Sequence, residues 1–123
     1  MDALFDRVGG QTFFVDLVRR FYEGIAGDPL LRPLYPDDLK ESADHLALFL
    51  MQYWGGPPTY NEQRGHPRLR MRHAPFRVDQ AARDRWMRLM NNAFAEAALP
   101  PEAAEPLRKF LDEVATFMIN HAS

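Results

Sequence analysis

The residues best suited to chemistry lie in the short segment GHPRLRMRHAPF, at positions 65–76. The segment holds two of the four histidines of the chain, several arginines and no acid. His73 is followed by Ala74 and Pro75, so it is expected in the last turn of a short helix that Pro75 cannot continue. Neighbouring guanidinium groups disfavour protonation of an imidazole, which leaves its lone pair available to a metal. His73 is therefore the candidate metal ligand.

The sequence around His73 favours one kind of metal centre over another. The nearest acids are Glu62 and Asp79, and no HxxxH or HxxE pattern surrounds the histidine, so a zinc site made of side chains alone is not favoured. Haem iron differs, because the porphyrin supplies four ligands and the protein needs to provide only one axial histidine. The alternative is a surface histidine or a helix cap, which is the commoner role of a histidine between arginines.

The two carboxylate tails of a haem would need cations nearby. Arg70 and Arg72 lie next to the candidate ligand in the sequence and are the first candidates for this contact. His45, beside Leu46 on a predicted helix, is a further candidate, although a rim or surface residue is the simpler interpretation of this histidine.

Several aromatic side chains could donate hydrogen bonds to a bound gas. Tyr22 shares a helix face with Phe14 and Val18 at spacings of four residues. A phenol among buried apolar residues needs a hydrogen-bond partner, and dioxygen could be that partner. Trp86 raises the same question with its indole N–H, and Tyr35 could add a third donor from a corner between helices. The alternative for each is core packing, with the polar atom bonded to a backbone carbonyl.

One face of a predicted helix has the character of a pocket wall. Ser42, Leu46 and Phe49 share this face, which has a small residue at one end and apolar residues beyond it. Such a face could line the entry path of a ligand. Phe21, next to Tyr22, is assigned to the same wall.

The elements that must position these residues are helices. Four long segments carry apolar residues at spacings of three and four, which predicts amphipathic helices; they span residues 12–25, about 38–54, about 80–97 and about 105–118. Asp38 and Glu41 have the spacing of a capping box, and Asp79 can cap the third helix. Pro106 is tolerable only in the first turn of the last helix.

The region between the second and third helices is predicted to contain a loop and one short helix. Residues 57–67 are rich in proline, glycine and polar side chains, which indicates a loop. The short helix is expected near residues 67–73. No segment alternates as a strand would, so the chain is predicted to be an all-α domain.

Length and composition limit the possible classes of protein. At 123 residues the chain fits a single domain, residues 1–123, and a hydrophobic content of 46% argues for a packed core. The net charge of −2 excludes a globally basic nucleic-acid binder. Cysteine is absent, which excludes disulfides, thiolate metal sites and cysteine nucleophiles. With no apolar segment of spanning length, we expect a soluble cytoplasmic protein, monomer or homodimer, with neither membrane nor nucleic acid as partner.

Several short motifs occur along the chain in a characteristic order. They are LFDRVGG at 4–10, FY at 21–22, LRPLYP at 31–36, QYWGGP at 52–57, RGHPRLRMRHAPF at 64–76 and RDRWM at 83–87. Each motif alone is weakly specific, but with their order and spacing the chain resembles the truncated haemoglobins, specifically group II of bacterial type, from about residue 4 to 121.

This resemblance implies a fold, a cofactor and roles for particular residues. The fold would be globin-like, a two-over-two α-helical sandwich that holds haem b (iron protoporphyrin IX) between the second and third long helical regions. His73 would be the proximal iron ligand, Tyr22 the distal tyrosine and Trp86 the tryptophan typical of the group. Tyr35 falls at a corner where some members have a tyrosine. The small distal gate residue would be Ser42 or Ala43.

Three hypotheses for the function follow. The main one is a haem protein that binds dioxygen and other diatomic gases at five-coordinate ferrous iron, with high affinity and slow release. The second is a redox enzyme that oxidises nitric oxide or reduces peroxide; because no reductase domain is evident, it would need an external reductase. The third is a haem-free helical interaction module whose arginine-rich segment, Arg64 to Arg77, binds an acidic partner or nucleic acid.

Overall fold

The computed structural model describes residues 4–65, 71, 73, 76–97, 99 and 101–121. Across these residues every regular element is helical, which confirms the all-α prediction. The helices are α1 (Leu4–Arg7), α2 (Gln11–Ala26), α3 (Lys40–Tyr53), α4 (Thr59–Arg64), α5 (Gln80–Ala97) and α6 (Pro101–Phe117), with one 3-10 turn at Arg32–Leu34. None of the described helices is both long and apolar enough to cross a membrane.

Helix α2 lies at the centre of the packing, against both α3 and α5, while α6 packs on α5. Its buried residues recur at spacings of three and four, so they form one apolar stripe along the helix. Phe14, Leu17, Phe21 and Ile25 of this stripe are fully buried. Each buried side chain of this size contributes roughly 1.5–3 kcal/mol relative to an exposed one. The stripe therefore fixes where α3 and α5 lie.

Two glycines allow close approaches that this packing needs. A Cβ atom at Gly24 of α2 would lie 3.1 Å from Leu89 Cδ2 of α5, so the absence of a side chain lets these helices pack tightly. A Cβ atom at Gly56 would lie 2.7 Å from Phe5 Cδ1 and 2.8 Å from the Met51 carbonyl oxygen. Glycine at position 56 therefore lets α1 close over the end of α3.

The long helices agree with the predictions except at their ends. Asp79 caps α5 as expected, because its Oδ1 accepts the Ala82 N–H at 2.9 Å. The capping box expected at Asp38 does not form; its Oδ1 accepts the Lys40 N–H at 2.9 Å in a turn before α3, and Leu39 precedes the helix. The last helix begins at Pro101 rather than about residue 105, so Pro106 lies inside it. Proline is well tolerated at the first position of a helix, where Pro101 lies, because the N–H that it lacks would have no partner within the helix.

The prediction of a loop over residues 57–67 is wrong for about half of these residues. Helix α4 occupies Thr59–Arg64, and Tyr60 anchors it with only 3% of its side chain exposed. The side chain of Gln52 on α3 also accepts the Asn61 N–H at 2.9 Å. Of the short helix expected near 67–73, the structure describes Met71 and His73, both in helical conformation.

The loop between α2 and α3 is fixed by a buried carboxylate. Asp28 Oδ1 accepts the backbone N–H groups of Leu30 and Leu31 at 2.9 and 3.0 Å, and its Oδ2 accepts a bond from Arg85 of α5 at 2.7 Å. Burial alone would raise the pKa of Asp28, but the hydrogen bonds from Arg85 and the two backbone groups outweigh burial and hold this pKa below its ordinary value. The ionised carboxylate therefore ties the loop to α5.

The same loop is closed further along by an arginine. The Arg32 guanidinium donates to the carbonyl oxygens of Tyr35, Pro36 and Asp37 at 3.3, 2.9 and 2.8 Å. Three backbone acceptors on one cation leave this stretch of the loop little freedom. The position of Tyr35 is therefore set by Asp28 and Arg32 together.

We expect Asp28→Asn to lower the free energy of unfolding by about 1–3 kcal/mol, because a charged acceptor is lost and an amide group faces a buried donor. Since the folded pKa of Asp28 is lowered, its stabilisation is present in full above the ordinary carboxyl pKa of about 3.9 and is lost as pH falls below it. Urea unfolding of both proteins from pH 7 to pH 3 measures the difference. The exposed Asp44→Asn is the control, and a difference between wild type and Asp28→Asn that does not shrink at acid pH would contradict this account.

Candidate functional site

A cavity of about 330 Å³ opens inside the helical packing and is lined by residues from α2 to α6. Its size lies within the usual range for small-molecule and cofactor pockets. Most of its wall is apolar, including Leu31, Leu111 and Met118. The candidate residues His73, Tyr22, Tyr35 and Trp86 all line this one cavity, so the fold brings them together from four separate parts of the chain.

Three of these side chains form one polar cluster. The rings of Tyr22 and Tyr35 meet edge to face, with centroids 5.6 Å apart. The Trp86 indole and the Tyr22 hydroxyl are both near enough to the Tyr35 hydroxyl to affect its pKa. An indole N–H can only donate, whereas each phenol can donate or accept, so the cluster offers three donors to a polar ligand.

The two phenols are held in the neutral form. Burial raises the pKa of Tyr22 well above its ordinary value, and the neighbouring Tyr35 adds to the shift as a charge and as a hydrogen-bond acceptor. Burial also raises the pKa of Tyr35, although the bonds from Trp86 and Tyr22 oppose this in part. Tyr35 as a whole residue is partly exposed. Because desolvation is nevertheless the largest cause of its pKa shift, the hydroxyl group is the part that lies away from water. Both phenols are therefore proton donors at neutral pH.

The segment that carries His73 is attached to the end of the chain by Asn120. The Asn120 side-chain amide donates to the carbonyl oxygens of His73 and Phe76 at 3.3 and 2.9 Å, and its Oδ1 accepts the Val78 N–H at 2.9 Å. The Phe76 N–H also donates to the His73 carbonyl oxygen at 2.9 Å. Asn120 was not a sequence candidate, because a single polar residue after a helix gives no signal of a contact with a segment more than forty residues earlier.

Two basic side chains border the cavity where α3 and α4 meet. A guanidinium N–H of Arg64 donates to Nε2 of His45 at 2.9 Å, which requires that Nε2 carry no proton. Glu41 Oε1 lies 3.9 Å from the same nitrogen, and Arg64 also stands 5.9 Å from the centre of the Tyr60 ring. The structure thus places His45 at the cavity and adds Arg64, which sequence reasoning had not singled out.

The other predicted cations lie outside the described residues. These are Arg70 and Arg72, whose contacts with haem carboxylates stay a prediction. Arg83 of α5 lines the cavity and forms ion pairs with Asp84 at 3.0 Å and with Asp112 of α6. His45 also borders an open groove of about 420 Å³ outside α2 and α3 that is lined mainly by polar side chains. We regard the apolar interior cavity as the site, because the groove contains none of the aromatic donors or His73.

The residues assigned to the wall on α3 line the cavity, but Phe21 of α2, which was assigned to the same wall, does not. Ser42, Leu46 and Phe49 border the cavity, whereas Ala43 is not among the lining residues. Phe21 was expected on the wall, and this expectation is wrong: the side chain is fully buried behind it, with its ring 4.8 Å from Trp86. The reason is that Phe21 belongs to the core stripe of α2.

The donor set is suited to a haem. Among the described residues no group of three or more histidine, aspartate or glutamate side chains is placed to hold a metal ion. The imidazole of His73 at an apolar cavity fits a metal whose other ligands come from a flat, largely apolar ring. Arg64 and His45 at the border suit the two carboxylates of such a ring.

Comparisons with known proteins agree with this arrangement. Residues 3–120 match the family described as bacterial-like globin. A group 2 truncated hemoglobin of Bacillus subtilis is 42% identical over 111 residues, which cover 90% of this chain and 84% of that protein. The solved structure of a thermostable hemoglobin from Thermobifida fusca has 50% sequence identity and a TM-score of 0.94, covering 97% of this chain and 98% of its own. That of a truncated oxygen-avid haemoglobin from Bacillus subtilis has 40% identity and a TM-score of 0.93, covering 97% and 100%.

The chain belongs to the bacterial-like globin family. Its structural neighbours are group II truncated haemoglobins, which confirms the resemblance inferred from the motifs. The globin fold is confirmed with it, and membership of the family implies a haem cofactor.

We expect the stability of the protein to fall above about pH 10, because phenols ionise there in the unfolded chain while Tyr22 and Tyr35 stay protonated in the fold. Each such phenol costs about 1.4 kcal/mol per pH unit beyond that point. Tyr22→Phe should therefore lose stability less steeply between pH 9 and pH 12 than the wild type, as measured by urea unfolding. The control is Tyr53→Phe, since Tyr53 is 56% exposed. Equal slopes for wild type and Tyr22→Phe would contradict the burial of this phenol.

Proposed function

We propose that the protein binds dioxygen reversibly at ferrous haem b, with His73 as the one protein ligand of five-coordinate iron, and that it releases the gas slowly. The observation that carries this proposal is the shared cavity, to which His73 and the hydrogen-bonding cluster of Tyr22, Tyr35 and Trp86 both contribute. When bound, the haem supplies the iron at which a diatomic gas is held. All further selectivity comes from the side chains around it.

His73 supports this role through its backbone as well as its ring. Its carbonyl oxygen accepts bonds from Asn120 and from the Phe76 N–H, which fix the segment next to the cavity. A fixed backbone limits the positions that the imidazole ring can reach. A ligand held in this way loses little conformational entropy when it coordinates the iron.

The aromatic cluster supports slow release. Trp86 and Tyr22 both adjoin the Tyr35 hydroxyl. We assign them as donors to the Tyr35 oxygen, which would leave the Tyr35 proton for the gas. A hydrogen bond to a partly charged acceptor contributes roughly 1–3 kcal/mol, which slows release by about one to two powers of ten. Donors of this kind would favour a polar ligand such as dioxygen over carbon monoxide, which is the weaker hydrogen-bond acceptor.

The remaining wall keeps water away from the gas. Leu46 and Phe49 present apolar side chains to the cavity, and Ser42 is the small residue at the end of this face. Exclusion of water strengthens the hydrogen bond from Tyr35, since the local dielectric is low. We assign Ser42 to the entry path and, at the border, Arg64 and His45 to the haem carboxylates.

A relative supports the high affinity. The Bacillus subtilis protein of known structure is described as oxygen-avid, and it covers 97% of this chain at 40% identity.

The test of this proposal is the absorption spectrum and gas kinetics of the haem-loaded protein. We expect a Soret band that shifts with dioxygen and with carbon monoxide. Trp86→Phe and Tyr35→Phe should each release dioxygen about ten to a hundred times faster, because each removes a hydrogen bond that holds the gas directly or orients its donor. Tyr22→Phe should have the smallest effect of the three, since its hydroxyl donates to Tyr35. Stopped-flow displacement of dioxygen by carbon monoxide measures these rates.

The control for these variants is Tyr53→Phe, which removes an exposed phenol outside the cavity and should leave the rate unchanged. Carbon monoxide dissociation should change little in any variant. A purified protein that shows no Soret band after haem addition would overturn the proposal, and so would a Trp86→Phe rate no faster than that of the wild type.

A further inference from the structure

We propose that Asn120 is a positioning residue for the iron ligand: its side-chain amide holds the backbone of His73 next to the end of α6, and this attachment sets how strongly the imidazole binds the iron. The inference deepens the proposed function and rests on it, because it takes His73 as the ligand. Asn120 is not among the residues that line the cavity, so it acts through His73 and not by contact with haem or gas.

The Asn120 amide fits its surroundings in only one orientation. Its Nδ2 donates to the carbonyl oxygens of His73 and Phe76 at 3.3 and 2.9 Å, and a carbonyl oxygen can only accept. Its Oδ1 accepts the Val78 N–H at 2.9 Å, and a backbone N–H can only donate. Turning the amide over would place donor against donor and acceptor against acceptor. Position 120 therefore needs a group that both donates and accepts, which an ionised aspartate of the same shape does not provide.

Backbone groups reinforce this attachment. The Asn120 and His121 N–H groups both donate to the Val78 carbonyl oxygen, at 2.8 and 3.2 Å. The Phe76 N–H donates to the His73 carbonyl oxygen at 2.9 Å. His121 Nδ1 lies 2.7 Å from Asn120 Oδ1, and because that oxygen can only accept, the imidazole donates and holds the amide in place. His73 and Val78 are thus both tied to the same short stretch of chain after α6.

Helix α6 gives Asn120 a fixed position. It packs on α5, and its residue Leu111 as well as Met118, just beyond its end, are buried and line the cavity. Asn120 follows Met118 by two residues, so it lies where this cavity wall ends. The amide therefore relates the position of His73 to that of a packed helix.

A ligand that is held before it binds loses less conformational entropy when it coordinates the iron. Without the Asn120 amide the residue that carries the imidazole must be ordered at that moment, so its bond to iron is weaker. This bond acts on the iron itself and alters the affinity for every gas. The aromatic cluster on the other side of the cavity discriminates between gases by their polarity, so loss of positioning and loss of a donor have different signatures.

The experiment compares Asn120→Asp, which keeps the shape and the acceptor for Val78 but loses both donors, with Asn120→Ala, which loses the whole amide. We expect haem transfer to apomyoglobin to be about three to ten times faster in both variants. The iron–imidazole stretching band of the gas-free ferrous protein should move to lower frequency. Affinities for dioxygen and carbon monoxide should fall by a similar factor, whereas Trp86→Phe should affect dioxygen alone. Asn92→Asp makes the same change at an exposed position of α5 and should match the wild type.

Positioning is separated from general stability by the His73→Gly protein loaded with free imidazole. Free imidazole has no backbone link to Asn120, so Asn120→Asp should have no further effect on the spectrum or on gas affinity in this background. A readout without haem is hydrogen exchange of the haem-free protein. The Val78 amide should exchange faster in Asn120→Ala than in the wild type and keep its protection in Asn120→Asp.

The outcomes distinguish this inference from the proposed function. If His73→Gly leaves the spectrum and the rate of haem loss unchanged, the proposed function fails. If His73→Gly changes both but Asn120→Asp behaves like Asn92→Asp, only the positioning role is overturned. The same holds if Asn120→Asp has an equal effect with His73 and with free imidazole. Should Asn120→Asp fail to fold, Asn120→Ala decides the question by the same comparison.

Discussion

The placement of His73 at an apolar cavity is the constraint on which the rest of this structure depends. The cavity has few polar atoms, so each one must be held by a partner or by the ligand. His73 is attached through its backbone carbonyl to the side chain of Asn120. A cofactor that brings its own ring of ligands satisfies such a site, and the helices are arranged to leave room for it.

The other polar side chains at the cavity, Tyr22 and Trp86, both adjoin the hydroxyl of Tyr35. This residue lies on a loop, where a donor would ordinarily be loosely placed. Here Asp28 ties the loop to α5 and Arg32 closes it by binding three carbonyl oxygens. Trp86 of α5 adjoins the same hydroxyl. Contacts between α5 and the loop before α3 therefore have two effects: they stabilise the loop, and they position the hydroxyl of Tyr35.

The sequence predicted the long helices well because their core residues recur with a helical period. Helix α2 differs from its predicted span by one residue at each end, and Asp79 caps α5 as its residue type suggested. Helix α4 escaped prediction because its sequence TYNEQR has one large aromatic residue and no period. That helix depends on burial of Tyr60 and on the hydrogen bond that the Asn61 N–H donates to the side chain of Gln52, which are tertiary contacts.

Site residues were predictable to the extent that a motif marked them. His73, Tyr22, Tyr35 and Trp86 were named from residue type and family resemblance, and the structure places them at one cavity. Arg64 was not named as a site residue, because its contact with His45 joins residues nineteen positions apart. Phe21 was placed on the wrong surface, since a helical period does not say whether a residue faces the core or a cavity beside it.

The most direct test of the account is replacement of the proposed iron ligand. Haem-loaded His73→Gly should lose the spectrum of the wild-type ferrous protein and its gas affinity, while added imidazole, which can occupy the vacated space, should restore both in part. The experiment compares Soret spectra and dioxygen affinity with and without imidazole. If His73→Gly retained the wild-type spectrum and affinity in the absence of imidazole, His73 would not be the ligand and the account would be contradicted.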